Sequence, residues 1–232
     1  MPLYTADALI LRTYKLGEAD RIVVFLTRDR GKKRGVAKGA RRSRSRFAGA
    51  LEPLTEARVA YFEKERRELV GLNYAEPVRS PLMLLGLAAA GVREVRDRAV
   101  PDYSALGYVG YFAELIDEWA QEADADERLY RLGTSVLGAL EVGAPVEPLA
   151  RYFEYWLLRL QGVYPEARGT LSQRAMSFLT VSRTIAPERI GDVPADRRTL
   201  RELEQLHRGL ITMHLDKTLK SDRVLRHLFR DS

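Results

Sequence analysis

Apolar and polar positions keep one rhythm up to about residue 78 and another beyond it. In the first stretch the apolar residues come in runs of strand length. Ala8-Leu9-Ile10-Leu11-Arg12-Thr13-Tyr14 is rich in β-formers with room to extend to Leu16, and Gly17-Glu18-Ala19-Asp20 breaks it. Ile22-Val23-Val24-Phe25-Leu26-Thr27 is apolar without alternation, as a strand is when both faces are covered. Arg28-Asp29-Arg30-Gly31 reads as a hairpin turn in which Gly31 takes a positive φ, and residues 33–38 as the returning strand. Residues 39–49 form a loop in which Ser and Arg alternate, residues 55–62 a fourth strand, residues 63–67 a charged turn and residues 68–74 a fifth strand. Five short strands are too few for a two-sheet sandwich; they suit a small barrel, whose closure removes exposed edges, and the OB-fold is the common five-stranded solution.

Beyond Pro81 the period becomes helical. Residues 82–98 are Leu/Ala-rich. Pro101-Asp102 precedes a helix reaching Trp119, with Tyr108, Tyr111, Phe112, Leu115, Ile116 and Trp119 on one face. A third helix covers residues 126–140; Pro145 and Pro148 open a fourth, with Leu149, Phe153, Trp156, Leu157 and Leu160 in register, ending near Gly162. Ser172 caps a short helix to Thr180. Thr199 and Glu202 have capping-box spacing ahead of Leu203, Leu206, Leu210 and Met213, and this last helix is expected to continue to Phe229. The expected fold class is therefore α+β and multi-domain: a β-barrel of residues 1–78, then an all-α bundle of residues 79–232. Trp119 and Trp156 read as core.

Charge sharpens this picture. The chain carries a net +6, yet residues 28–46 hold ten cations (Arg28, Arg30, Lys32, Lys33, Arg34, Lys38, Arg41, Arg42, Arg44, Arg46) against Asp29 alone. That segment is +9 and the remainder −3, a basic patch on a slightly acidic body. Such a concentrated field is the footprint of a polyanion partner. In a regular strand Lys32, Arg34 and Lys38 share one face and alternate with Lys33. Arg42, Arg44 and Arg46 repeat the spacing in an extended loop that Gly39 and Gly49 leave free to adapt. Ser43 and Ser45 add hydrogen bonds to phosphate. Only Phe47 lies near the patch, so base stacking is expected to matter less than charge, giving sequence-neutral, salt-sensitive binding. Glu18 and Asp20 are expected to brace the turn or pair with Arg21.

Several chemistries lose support. The chain has no cysteine, so disulfides, a cysteine nucleophile and thiolate zinc sites are excluded. No phosphate-binding P-loop occurs. His207 and His214 are seven residues apart, unsuited to a shared metal, and with His227 read as ordinary surface or partly buried residues. Glu114, Asp117 and Glu118 read as solvated helix charges, and no Ser/His/Asp grouping stands out, so the chain is not expected to be an enzyme and no cofactor is expected. The N-terminus lacks a signal-peptide pattern and the longest apolar run, residues 82–92, is about half a membrane span; a cytoplasmic, nucleoid-associated protein is expected, without membrane contact.

The run Tyr14-Lys15-Leu16-Gly17-Glu18-Ala19-Asp20-Arg21-Ile22-Val23, then Phe25-Leu26-Thr27 and Gly31-Lys32, resembles the N-terminal signature of the RecO family of bacterial recombination-repair proteins. So do Val36-Ala37-Lys38-Gly39-Ala40-Arg41-Arg42-Ser43-Arg44-Ser45-Arg46 and Leu51-Glu52-Pro53-Leu54. Near the other end, His214-Leu215-Asp216-Lys217-Thr218-Leu219-Lys220-Ser221-Asp222-Arg223-Val224-Leu225 resembles the family's C-terminal helix. The resemblance implies an N-terminal OB-fold, a helical C-terminal domain, binding of single- and double-stranded DNA, annealing without ATP, and loading of recombinase onto strands coated with single-strand-binding protein, together with RecR. Many family members carry a four-cysteine zinc module after a helix ending in Gly-x-x-Pro. Here Gly162-Val163-Tyr164-Pro165 is followed only by residues 166–170 before the next helix, so no zinc module is expected.

The expected nucleic-acid-binding residues are Lys32, Lys33, Arg34, Lys38, Arg41, Arg42, Arg44 and Arg46. Lys217, Lys220, Arg223 and Arg226 either favour the dipole of a C-terminal helix or receive the acidic C-terminal tail of single-strand-binding protein. The alternatives are an RNA-binding OB-fold factor, a nuclease with ungrouped carboxylates, and a cationic membrane-surface protein, the last disfavoured by the lack of an amphipathic anchor.

Overall fold

A computed structural model describes residues 2–63, 68–84, 103–165, 171–221 and 224–225. The charged turn beyond Glu63, the first helix beyond Leu84, Pro101-Asp102, residues 166–170, Arg223, Arg226, His227 and the predicted end near Phe229 lie outside the described residues. The chain divides into two compact units, residues 1–134 and 135–232.

In the first unit five strands, β1 (Leu3–Leu16), β2 (Asp20–Thr27), β3 (Gly31–Ala37), β4 (Glu56–Phe62) and β5 (Val70–Arg79), close in the order β1-β2-β3-β5-β4. All neighbours are antiparallel except β3 and β5, which pair in parallel and complete the ring. This is the expected five-stranded OB-fold followed by helices. The sequence pattern underestimates β1, which begins five residues earlier, and β5, which runs on through Pro77. Inside the ring Ala6, Ala8, Ile10, Val23, Phe25, Ala37, Val59, Tyr61, Val70 and Leu72 form a buried core. A bulge between Ile10 and Arg12 shifts the phase of β1, so that Arg12, Tyr14 and Leu16 lie on the outer face opposite Val24, Ile22 and Asp20.

The continuous apolar run of β2 has the physical cause its pattern suggests. Val23 and Phe25 face the barrel interior, while Val24 and Leu26 are buried on the outer side, where helix α2 (Tyr103–Trp119) packs on β1 and β2. Phe112, Leu115, Ile116 and Trp119 supply its apolar face. After α2 the chain lies along the start of β3: Lys32 N–H donates to the Gln121 carbonyl and Ala123 N–H to the Lys32 carbonyl. The approach is close enough that a Cβ on Gly31 would sit 2.4 Å from the Asp124 carbonyl oxygen, and Gly31 has φ +69°. Both facts demand glycine at that turn.

The division between the units falls within α3 (Glu127–Glu141), just ahead of which Asp126 accepts from Leu129 N–H. The compact first unit therefore takes in α2 and the start of α3, whereas the change from strands to helices comes at residues 79–81.

The second unit contains α4 (Val146–Leu160), α5 (Gln173–Val181), a 3-10 turn (Pro187–Asp192) and α6 (Arg197–Leu215). Ser172 caps α5 as expected. The capping box on α6 is not formed: Asp196, three residues ahead of Thr199, is the cap, accepting from Thr199 N–H at 2.8 Å. Glu202 reaches instead to Ser172, taking its N–H at 2.7 Å and its hydroxyl at 2.6 Å. The predicted apolar face of α6 is also out of phase. Leu200, Leu203, His207 and Ile211 are its buried seam, while Met213 is 80% exposed. The helix ends at Asp216 in the left-handed region (φ +51°), so it does not continue unbroken. Trp119 is buried; Trp156 is half-buried, its indole N–H donating to the Ser182 carbonyl at 3.0 Å. Among the described residues no helix is long and apolar enough to cross a membrane.

Candidate nucleic-acid interface

The alternation expected of β3 is present. Gly35 and Ala37 face inward and Arg34 and Lys38 are exposed. Its consequence for charge is not what the spacing suggests, because several cations meet acids of the same unit. Lys32 Nζ donates to the Asp117 carbonyl at 2.6 Å and stands 3.4 Å from that residue's carboxylate. Lys33, on the inward side, donates to Glu63 at 2.8 Å. Arg28 bonds Glu127 at 2.7 Å, and Arg30 lies beside Asp29 with its guanidinium 4.4 Å from the Tyr4 ring centre. Glu114, Asp117 and Glu118 are not solvated: their side chains are only 10%, 12% and 18% exposed, and they surround Arg12, with Arg12 Nε 3.2 Å from Asp117. They are the acidic side of the helix-to-barrel contact.

Six of the eight expected residues remain exposed: Arg34, Lys38, Arg41, Arg42, Arg44 and Arg46. Among the described residues none of the six forms an ion pair. Five of them follow β3 in the loop to β4, which is not extended. It is a succession of tight turns, with Arg42 N–H donating to Gly39, Ser45 to Arg42, Ala48 to Ser45 and Ala50 to Phe47. Gly39 and Gly49 both sit at φ +72°, a conformation these turns require and glycine adopts without steric cost. Phe47, Ala50 and Leu51 anchor the loop in the barrel core; Phe47 is 2% exposed and offers no stacking face. Ser45 Oγ accepts the Phe47 N–H at 3.2 Å, and Ser43 is exposed.

The β1–β2 turn holds this loop from the other side. Asp20 accepts Gly39 N–H at 2.8 Å, Arg41 N–H donates to the Ala19 carbonyl at 2.9 Å, and the Arg41 guanidinium donates to the Gly17 carbonyl at 3.0 Å. Asp20 thus braces the loop, whereas Arg21 turns to Thr13. A braced backbone spares the loop most of its own ordering cost when it meets an anion, leaving the side-chain cost of the cations. The arrangement presents six exposed positive charges, with the Ser43 side chain exposed among them, to an anionic ligand.

In the second unit Lys217 and Lys220 are exposed just after α6. Sequence reasoning missed an open cleft of about 710 Å³ at the other end of α6, lined by Leu171, Ser172, Arg197, Arg198, Arg201, Glu202 and Gln205. The three arginines are exposed and, among the described residues, unpaired, at the helix end where the backbone dipole repels cations. The signal was legible as Arg197-Arg198 and Arg201 directly after an Asp cap.

His207, expected to be a surface or partly buried residue, is wholly buried. Its Nδ1 lies 2.9 Å from Glu154, whose other oxygen meets Arg151 at 3.0 Å, and its Nε2 lies 3.4 Å from the Tyr164 hydroxyl. The carboxylate requires the proton on Nδ1, leaving Nε2 to accept from Tyr164. Burial holds the imidazole pKa below its usual value of 6.5 despite the opposing pull of Glu154. Among the described residues no three His, Asp or Glu side chains gather as a metal site.

Two family models match the chain: Recombination protein O N terminal over residues 1–81 and Recombination protein O C terminal over residues 100–169. Curated relatives carry the name DNA repair protein RecO. That of Koribacter versatilis is 40% identical over 164 residues, covering 71% of this chain and 61% of the relative. That of Geobacter metallireducens is 30% identical over 255 residues, covering 97% of this chain and 98% of the relative. That of Bifidobacterium adolescentis is 55% identical over 78 residues, 34% of this chain and 31% of the relative. The chain thus spans about three-fifths of the Koribacter relative's own length.

Proposed function

The chain belongs to the recombination protein O family, and from that premise we propose that it is a non-enzymatic DNA-binding mediator of recombination repair. It binds single- and double-stranded DNA through Arg34, Lys38, Arg41, Arg42, Arg44 and Arg46. It anneals complementary strands without ATP and helps load recombinase on strands coated with single-strand-binding protein, in concert with RecR, in the cytoplasm at the nucleoid. The observation that carries this reading is the set of six exposed cations, five on a loop pinned to a small barrel and Arg34 on the strand that leads into it. Annealing follows physically. Two strands repel through their phosphates, a cationic surface that holds both lowers that repulsion, and no hydrolysis is needed. Lys32 and Lys33 are left to the fold.

The acidic C-terminal tail of single-strand-binding protein has a better receiver in the arginine-lined cleft than in Lys217 and Lys220: the cleft gathers three arginines, unpaired among the described residues, to meet its carboxylates.

Two assays test the reading. Complementary oligonucleotides mixed with the protein and no nucleotide should anneal faster than alone, and the variant with Arg41, Arg42, Arg44 and Arg46 all changed to alanine should lose that acceleration and bind DNA more than tenfold more weakly. Capture by an immobilised tail peptide should fail for the Arg198→Glu/Arg201→Glu variant. Preference for structured RNA over single-stranded DNA in direct competition, or DNA cleavage with magnesium or manganese, overturns the reading.

A further inference from the structure

The cross-strand register assembles a surface that the cation count does not describe. Tyr14 of β1 lies opposite Ile22 of β2, and Ile22 opposite Val36 of β3, so the three form one apolar row on the outer face of the sheet. The next row is Arg12, Val24 and Arg34, which puts Arg34 beside Val36 on the same face. Ile22 and Val36 are half-buried, whereas Tyr14 is 42% and Leu16 38% exposed. An exposed aromatic and an exposed leucine two residues apart at the end of a strand carry an apolar cost with no folding return.

The tyrosine ring is held in place. Its hydroxyl accepts from Arg12 Nη1 at 3.2 Å, and Arg12 is itself fixed by Asp117 of α2 at 3.2 Å. The row also adjoins the cations. The turn that follows Leu16 carries the Gly17 and Ala19 carbonyls and the Asp20 carboxylate that hold Arg41 and Gly39, and Lys38 continues β3 two residues beyond Val36. A flat ring with an apolar floor and phosphate-binding charge at its edge matches one ligand chemistry: the face of an unpaired base whose backbone runs along the cations. A duplex has its bases stacked internally and offers only phosphates here.

We propose that Tyr14, backed by Ile22 and Val36 and flanked by Leu16, is a stacking site for an unpaired base, and that it gives this surface a preference for single strands over duplex. This rests on the cationic loop binding nucleic-acid backbone. The loop alone attracts any polyanion; the platform distinguishes a strand with free bases from one without.

The test measures affinity of the full chain for three probes of equal charge: a thymidine oligonucleotide, the same backbone with every base removed, and a duplex. The unaltered protein should bind the thymidine probe about tenfold or more above the abasic one. Tyr14→Ala should remove that advantage, leave abasic and duplex affinities within about twofold, and leave the salt slope unchanged; Tyr14→Phe, which keeps the ring, should retain most of it. Photo-crosslinking with iodouracil in the strand should place the adduct on Tyr14. Equal affinity of the unaltered protein for thymidine and abasic probes overturns the platform while leaving the cationic loop intact. An equal fall on all three probes in Tyr14→Ala overturns it too, since that is the signature of a disturbed loop. Failure to bind any of the three overturns the nucleic-acid reading itself.

Discussion

The allocation of cations between the fold and the surface makes a quantitative prediction about salt. If all ten cations of residues 28–46 met phosphates, the slope of log affinity on log salt for duplex DNA would approach about −9, since each neutralised phosphate contributes about −0.9. The ion pairs of Arg28, Arg30, Lys32 and Lys33 leave six, which caps the slope at about −5 for duplex and about −4 for single strands. Raising salt from about 50 to about 200 mM should then weaken duplex binding on the order of a thousandfold. Changing Arg41, Arg42, Arg44 and Arg46 to alanine leaves two cations, a slope of about −2 and a loss of only about tenfold over the same range. Lys33→Gln should leave the slope unchanged, because its charge is already spent on Glu63. Lys32→Gln should do the same while lowering stability by about 1–3 kcal/mol, since it removes a part-buried charged donor from Asp117. Fluorescence anisotropy across a salt titration reads every one of these slopes. A slope near −9, or a fourfold alanine variant with an undiminished slope, would refute the allocation.

Other consequences concern stability and pH. Arg12→Met leaves Glu114, Asp117 and Glu118 crowded with one cation fewer at the helix-to-barrel contact, and should cost about 3 kcal/mol in urea unfolding; a change under about 1 kcal/mol would show the cluster to be well hydrated. Gly31→Ala combines a positive φ with a clash against the Asp124 backbone and should cost at least about 2 kcal/mol, more than Gly49→Ala, where φ is as positive but the space is open. His207 has its pKa depressed in the folded state, so on acidification the unfolded chain takes up a proton that the folded chain refuses. Stability of the second unit should therefore fall as pH drops below the imidazole's ordinary 6.5, by up to about 1.4 kcal/mol per pH unit from this group. Unfolding followed by Trp156 fluorescence at pH 7.5 and 5.5 checks the sign, and equal or greater stability at pH 5.5 contradicts it.

Much of the barrel was legible because its signals are local. The two-sided burial of β2, the hairpin at residues 28–31 and the positive φ of Gly31 each follow from a few adjacent residues. What escaped depends on distant ones. Glu114 and Asp117 look solvated on a helical wheel, and only the packing of α2 on β1 and β2 brings them to Arg12 and Lys32. Met213 reads as seam and His207 as surface or partly buried because a histidine reads as polar in a periodicity; the partners that allow its full burial, Glu154 and Tyr164, lie on other segments. The cap of α6 was misplaced for a related reason. Thr199 and Glu202 have the right spacing, yet Asp196 is the stronger acceptor and Ser172 offers Glu202 two donors.

Charge density along a chain therefore overstates charge available to a ligand, and the difference here has a direction. The cations lost to the fold are those at the hairpin and the start of β3, where α2 and its following segment crowd the barrel; those retained lie at the other end of β3 and in the braced loop. Arg12 links the two regions. One side of its guanidinium is tied to the acids of α2 and the other to the hydroxyl of Tyr14. The helix that neutralises Lys32 thereby also orients the aromatic ring beside the free cations. A change that loosens α2 from the barrel should act twice on the surface, releasing a lysine into it and setting Tyr14 adrift, so its effect on duplex affinity and its effect on single-strand preference should have opposite signs.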